Sequence, residues 1–319
     1  MLERLINWND FLGRRMFFTV LLALFLGFSL SLPRTSFLNT LSVGLFAYMT
    51  FITALGTRFR DFIQVLSKPW VPLWMLFLIH GVAPLLAWAI GSIFYPQEFF
   101  VRLGLLVSAS IPIAVTSIIW TSLAGGDVAL AFVAVTLDTL IVPVFMPTYF
   151  AFIVGETVHL DYVHMLIQLL WMVTIPSFLG MGINDLTRGK LDRFSRSVGG
   201  VTSKIALFMV ITINASIVAP VIHWNLSLVK LLSVIFLLTV LGYALGFIGS
   251  LILKDRNPNI VTAMIYNVGM RNISFGAVLA ISYFPPPVSV PVTLAMLFQQ
   301  PMAAFVFYLL KISRSGIDL

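Results

Sequence analysis

Ten stretches of the chain are almost wholly apolar over the roughly 20 residues that a membrane-spanning helix needs. Charged or Pro/Gly-rich breaks separate them. They cover 16–33, 38–56, 70–95, 102–124, 128–154, 164–184, 205–224, 228–253, 259–284 and 288–312. Apolar runs of this length predict an all-α polytopic membrane protein with ten transmembrane helices. Residues 1–15 differ, because Leu5, Ile6, Trp8 and Leu12 stand among charged neighbours, a pattern that suits a short interfacial helix. Arg14-Arg15 before an apolar run imitates an export signal, but no small-residue cleavage site follows, so the first run reads as an anchor. No stretch is left over for a soluble domain.

Composition agrees. Of 319 residues 60% are hydrophobic and 10% charged, with a mean hydropathy of +1.03. A soluble chain is about 25% charged, so this one could not coat a soluble surface. Cysteine is absent, which removes thiolate nucleophiles and Cys-based metal sites. The net charge of +7 is explained by topology. Arg4, Arg14 and Arg15, then Arg58, Arg60 and Lys68, then Arg188, Lys190, Arg193, Arg196 and Lys204, then Lys254, Arg256, Lys311 and Arg314 all fall on one side. Only Arg34, Arg102 and Lys230 fall on the other. Basic loops stay inside, so both termini are expected in the cytosol, the inner (plasma) membrane of a bacterium is the expected location, and nucleic acid is not an expected partner.

Ten spans divide into five plus five, over 16–155 and 156–319. Two halves with an odd number of spans must face opposite ways, as in the inverted repeats of secondary transporters. Ile90-Gly91-Ser92 in span three recurs as Ile248-Gly249-Ser250 in span eight, and at the same separation Pro143 matches Pro301. That register pairs spans four and nine. Pro112 breaks the first, within Ser110-Ile111-Pro112-Ile113-Ala114-Val115-Thr116-Ser117; Gly269 loosens the second, within Asn267-Val268-Gly269-Met270-Arg271-Asn272. Two interrupted helices in matching positions point to a binding site. Taken singly, Pro112 as a kink and Gly269 as a close-packing residue would be the blander reading.

Three polar residues lie at matching depth. Counted from the cytosolic ends of their spans at ~1.5 Å per residue, His80, Asp138 and Arg271 are roughly 15–18 Å deep, near mid-membrane. A charge there faces a partner or a wet path. Asp138 and Arg271 can be read as a structural ion pair, as a guanidinium offered to an anionic substrate with Asp138 restraining it, or with Asp138 as a proton-binding carboxylate. His80 reads first as a helix–helix hydrogen-bonder, and Asn214, Gln299 and Gln300 as interhelical glue. Thr116, Ser117, Asn267 and Asn272 flank the two breaks and rank higher as site residues. No HExxH, P-loop or GxSxG occurs, and Gly125-Gly126-Asp127 is expected to be a turn.

The segment Ile111 to Pro147, the turn at Leu123–Leu130 and the run from Asn267 to Asn272 resemble the bile acid:sodium symporter family. The resemblance covers nearly the whole chain. It implies a core of spans three to five and eight to ten, a panel of spans one, two, six and seven, and alternating access between them. It also implies sodium ligands from the broken helices and span five, and here the chain diverges. Ser117 is followed by Ile118, which has no ligand oxygen; the span-five hydroxyl positions fall on Ala131 and Val135. The family's acidic residue is Asn267, and Arg271 stands where an ion-binding amide is expected. Ser117, Asn267, Val268 and Met270 remain as remnant positions. Losing a carboxylate and gaining a guanidinium works against Na+ in a low-dielectric region.

The expected function is a secondary transporter of a small organic anion, with sodium coupling weakened or absent and H+ admitted as a coupling ion. The lipid bilayer is its solvent, and no motif calls for a cofactor or an obligatory protein partner. Arsenite- and auxin-efflux-type permeases are the alternatives within the superfamily; the former carry a span-four Cys that this chain lacks. An intramembrane enzyme or a sensor is the alternative of another class, and Asp138 with His80 is a thin basis for the former.

Overall fold

A computed structural model describes residues 2–56, 70–154, 161–222, 225–254 and 256–315. Arg58, Arg60, Lys68 and the expected repeat boundary at 155/156 lie outside these residues. The described chain is helical throughout, with no strand: α1 (Leu2–Arg14), α2 (Met16–Leu30), α3 (Ser36–Ala54), α4 (Trp70–Phe94), α5 (Phe99–Ser110), α6 (Thr116–Leu123) and α7 (Val128–Val154), followed by α8 (Tyr162–Leu186), α9 (Asp192–Val221), α10 (Leu226–Ser250), α11 (Pro258–Gly269), α12 (Ile273–Tyr283) and α13 (Pro286–Ile312). Seven of these are long and apolar enough to cross a membrane, or eight if the bent pair α1/α2 counts as one span. Large apolar side chains such as Phe18, Phe25, Phe37, Phe152, Trp171 and Leu186 are exposed, as a lipid solvent allows.

Two compact units divide the chain. The first comprises residues 1–67, 140–222 and 277–286. Within it α1 is bent 71° from α2 and is amphipathic, with Trp8 and Phe11 exposed. The Asn9 side chain donates to the Arg196 carbonyl at 3.0 Å. Helices α2 and α9 touch through Gly27, where a Cβ would lie 2.6 Å from the Thr212 carbonyl oxygen. Without a hydrophobic drive between helices in lipid, such close backbone contact is a main source of association.

The second unit comprises residues 68–139, 223–276 and 287–319. A Cβ at Gly246 would lie 2.6 Å from the Met264 carbonyl oxygen, so α10 and α11 also meet backbone to backbone. Trp74 ties α4 to α10 by donating to the Gly249 carbonyl at 2.9 Å. Trp120 of α6 stacks on Tyr266 of α11 and donates to Gln300 of α13 at 3.1 Å. Gly125 takes the left-handed conformation (φ 65°) that ends α6, and Asp127 caps α7 by accepting the Leu130 N–H at 2.9 Å. Gly125-Gly126-Asp127 is therefore a structural turn.

Helix α4 is irregular in the stretch that carries His80. Residues 78–82 form a wide turn, in which the Ala83 N–H reaches back five residues to the Leu78 carbonyl. Pro84 follows at once, and its ring would clash with the carbonyl four residues earlier in a regular helix. Widening the turn relieves that clash. The same device recurs in α8, where the wide turn 170–174 precedes Pro176.

Candidate functional site

The two breaks expected from Pro112 and Gly269 are present, and the second falls just beyond the glycine. Ile111 precedes a proline and is extended (φ −66°, ψ 153°), as the proline's ring requires of its neighbour. Helix α11 runs through Gly269 and stops at Met270, which is also extended (φ −102°, ψ 126°). Gly269 serves packing: a Cβ there would lie 2.6 Å from the Tyr243 ring.

The extended segments cross antiparallel, with Ile113 paired to Arg271. The Ala114 N–H donates to the Met270 carbonyl at 3.1 Å, and the Asn272 N–H donates to the Pro112 carbonyl at 2.7 Å. Ile113 and Arg271 are 271 − 113 = 158 residues apart, as are Ile90 and Ile248 (248 − 90 = 158). Shifting each member of the first bond by that offset produces the second bond. The crossing satisfies backbone groups that two helix ends would otherwise leave bare at membrane depth.

Each paired residue has its own N–H capped by a side chain. Asp138 of α7, fully buried, accepts the Ile113 N–H on Oδ2 at 2.5 Å. Gln299 of α13 accepts the Arg271 N–H on Oε1 at 3.1 Å. The other carboxylate oxygen of Asp138 shares a hydrogen bond of 2.5 Å with Nε2 of His80, which the wide turn of α4 presents. Thus Asp138 pairs with His80, and no Asp138–Arg271 ion pair within 4 Å exists among the described residues.

Arg271 folds back on the crossing. Its Nε donates to the Ala109 carbonyl at 3.1 Å and its Nη1 to the Val268 carbonyl at 2.8 Å. Nη2 makes no hydrogen bond to a described residue. The residue lines a cleft with about 670 Å³ of empty space, mouth included, walled by α4, α5, α10, α13 and the second break. Its walls are mostly aliphatic, with Leu86, Ile235 and Leu245, and Ser108, Thr239 and Gln299 add polar groups.

The residues flanking the breaks divide by role. Ser117 donates to Asn267 Oδ1 at 2.9 Å, and Asn267 Nδ2 donates to the Ala263 carbonyl at 2.7 Å, so both are occupied and buried. Asn272 caps α12, accepting the Phe275 N–H at 3.3 Å. Thr116 opens α6 and is half-buried. Gln300 does join helices, whereas Asn214 of α9 is buried with neither amide atom bonded to a described residue.

The remnant sodium positions are already engaged within the protein. Asn267 Oδ1, the Val268 carbonyl and the Met270 carbonyl each already accept a hydrogen bond, from Ser117, Arg271 and Ala114 respectively. No carboxylate stands among them, and a guanidinium does. The pairing of His80 with Asp138 and the capping role of Gln299 were not anticipated. Equal depth in the membrane was a usable signal for the first, and nothing in the sequence marked the second.

Interrupted helices that cross in an apolar bundle, beside a cleft holding one fixed cation, define an integral membrane protein built for transport. The family model for the sodium bile acid symporter family matches residues 42–255. The chain belongs to that family and is a membrane transporter. It is 36% identical over 268 residues to an uncharacterized Bacillus subtilis (strain 168) protein, YbaS, covering 84% of this chain and 87% of the relative. It is 28% identical over 237 residues to YocS of the same organism, an uncharacterized sodium-dependent transporter, covering 72% of this chain and 70% of that one.

Proposed function

We propose that this transporter moves a small organic anion by alternating access, and that the tethered Arg271 guanidinium takes the place of bound sodium. The carrying observation is the bond from Arg271 Nη1 to the Val268 carbonyl at 2.8 Å, a carbonyl that the family resemblance gives to the ion. A guanidinium there neutralises the same oxygen dipoles without needing to be loaded. A guanidinium-bearing residue lining an aliphatic cleft with few polar groups suits a carboxylate or sulfonate carrying an apolar body.

The same reading takes the chain as ten spans in two inverted halves, both termini cytosolic, in a bacterial plasma membrane. Supporting it are the seven long helices, the bent α1/α2 pair and the two crossed interruptions, α5/α6 and α11/α12. The reciprocal bonds at an offset of 158 residues are what a two-fold axis between such halves requires.

A thermal-shift screen of organic anions, run in sodium and again in choline, tests the proposal. Anions that raise the melting temperature equally in both salts are expected. Protection that appears only with sodium, or sodium-driven uptake into proteoliposomes, would overturn it.

A further inference from the structure

The buried dyad of His80 and Asp138 has no task in binding the anion itself. It nonetheless stands at the crossing. Asp138 Oδ2 holds the amide of Ile113, and Ile113 is paired with Arg271. Asp138 and Arg271 are therefore one bridged residue pair apart, within electrostatic reach of one another but not in contact. Ala83, three residues after His80, lines the cleft that Arg271 also lines.

Resting on the anion-carrier reading, we infer that the His80–Asp138 dyad is a proton-binding site, loaded with one proton for each anion that Arg271 binds. The hydrogen bond of 2.5 Å between Nε2 and Oδ1 already contains one proton. With His80 neutral and Asp138 ionised, the carboxylate balances the guanidinium and the site has no net charge. An anion entering that state would leave one negative charge uncompensated in a low-dielectric region. If one further proton comes from water to Nδ1 of His80 as the anion arrives, and the shared proton passes from Nε2 to Asp138 Oδ1, Asp138 becomes a neutral acid and the sum is zero again. The guanidinium then faces the anion, and the dyad is neutral overall. Anion and proton thus enter together and leave together, so a proton gradient can drive what a sodium gradient drives elsewhere.

The charged and titratable groups that face Asp138 are few. The turn before it, through Ala134 and Val135, packs with α4, the segment carrying Ile113, α11 through Met264 and Val268, α6 through Ile118 and α10 through Leu245. Helix α6 carries no titratable residue, and Tyr243 of α10 donates to the Gln299 carbonyl at 3.4 Å. Of these α4 contributes His80, the crossing contributes Arg271, and Tyr266 of α11 points instead to the Ala303 carbonyl at 3.3 Å. The wide turn is part of the device, because it carries the His80 side chain that meets Asp138.

The test uses the full-length protein and three sulfonates that stay ionised at every pH: benzenesulfonate, hexanesulfonate and taurocholate. The apparent dissociation constant, read from thermal protection, should fall about tenfold for each unit drop in pH across the dyad's titration, as one linked proton requires. In Asp138→Asn, which mimics the loaded carboxyl and can still accept the Ile113 N–H, affinity should be high and independent of pH. Infrared difference spectra taken without ligand should show the band of a protonated acid on acidification, lost in Asp138→Asn. Equal affinity at every pH in both proteins overturns the proton site and leaves the anion carrier standing. No protection by any of the three at any pH overturns both, and an acid band unchanged in Asp138→Asn overturns the proton site alone.

Discussion

Replacing Arg271 tests the fixed-cation idea most directly, because the backbone of that residue and its side chain do different things. The N–H on Gln299 and the pairing with Ile113 are main-chain contacts, so Arg271→Gln leaves the crossing in place. What it removes is the guanidinium with its bonds to the Ala109 and Val268 carbonyls. Hydrogen bonds to charged groups are worth about 1.5–3 kcal/mol each, and that loss is offset by no longer burying a charge, so the melting temperature should move little. Anion binding should suffer far more. Truncating one partner of a buried, hydrogen-bonded charge pair costs about 2–5 kcal/mol. At 1.4 kcal/mol per decade, that is a loss of about 30- to 4,000-fold in affinity. Arg271→Lys restores a charge but not the fork that holds two carbonyls and still presents a third nitrogen, so it should recover only part. Titrating a protective sulfonate against the three proteins by thermal shift reads the effect. Binding by the Gln variant within threefold of the wild type would refute the reasoning.

Further expectations concern packing and caps. Gly269→Ala pushes a Cβ to 2.6 Å from the Tyr243 ring and should destabilise by about 1–3 kcal/mol, with partial recovery in the double variant carrying Tyr243→Leu. A detergent melt that shows no loss for the single variant would remove the packing account of that glycine. Asn214→Leu takes away a buried, unbonded amide of similar size, and the melting temperature should rise by the equivalent of about 1 kcal/mol. A fall would mean that Asn214 has a polar partner when the protein is in its membrane. Asp127→Ala removes the cap on Leu130 and should lower stability by about 1 kcal/mol, while Asp127→Asn should not, as followed by circular dichroism.

Much of the helix plan was legible because lipid imposes it: an apolar run of sufficient length has no other stable form. Pro112 announced the extended segment after α5 for an equally local reason, since it restricts Ile111 directly. The break at Met270–Asn272 was legible only approximately, because no residue there forbids helix; the helix ends where the antiparallel partner offers better bonds. Depth counting placed His80, Asp138 and Arg271 on one level but could not choose among the possible pairs. The choice falls to Pro84, which widens α4 and turns His80 toward Asp138, a three-dimensional consequence of a residue four positions away. Gln299 was legible only as interhelical glue; as one amide among several in apolar helices, nothing marked it as the cap on Arg271.

The two segments of the crossing differ in charge. At an offset of 158 residues, Gln299 corresponds to position 141 (299 − 158 = 141), one helical turn from Asp138. Asp138 of α7 and Gln299 of α13 thus each hold the amide at the centre of one extended segment. In the first segment that side chain is a carboxylate and the central residue is the apolar Ile113. In the second it is a neutral amide and the central residue is Arg271. The negative group holds one segment and the positive group belongs to the other, so any change in the charge of the dyad acts across the crossing and not within one strand. A guanidinium alone would make a site that holds an anion too well to release it. On the proposed reading, a carboxylate one bridged pair away that takes up or gives back a proton makes the hold conditional, as loading on one side and emptying on the other would require.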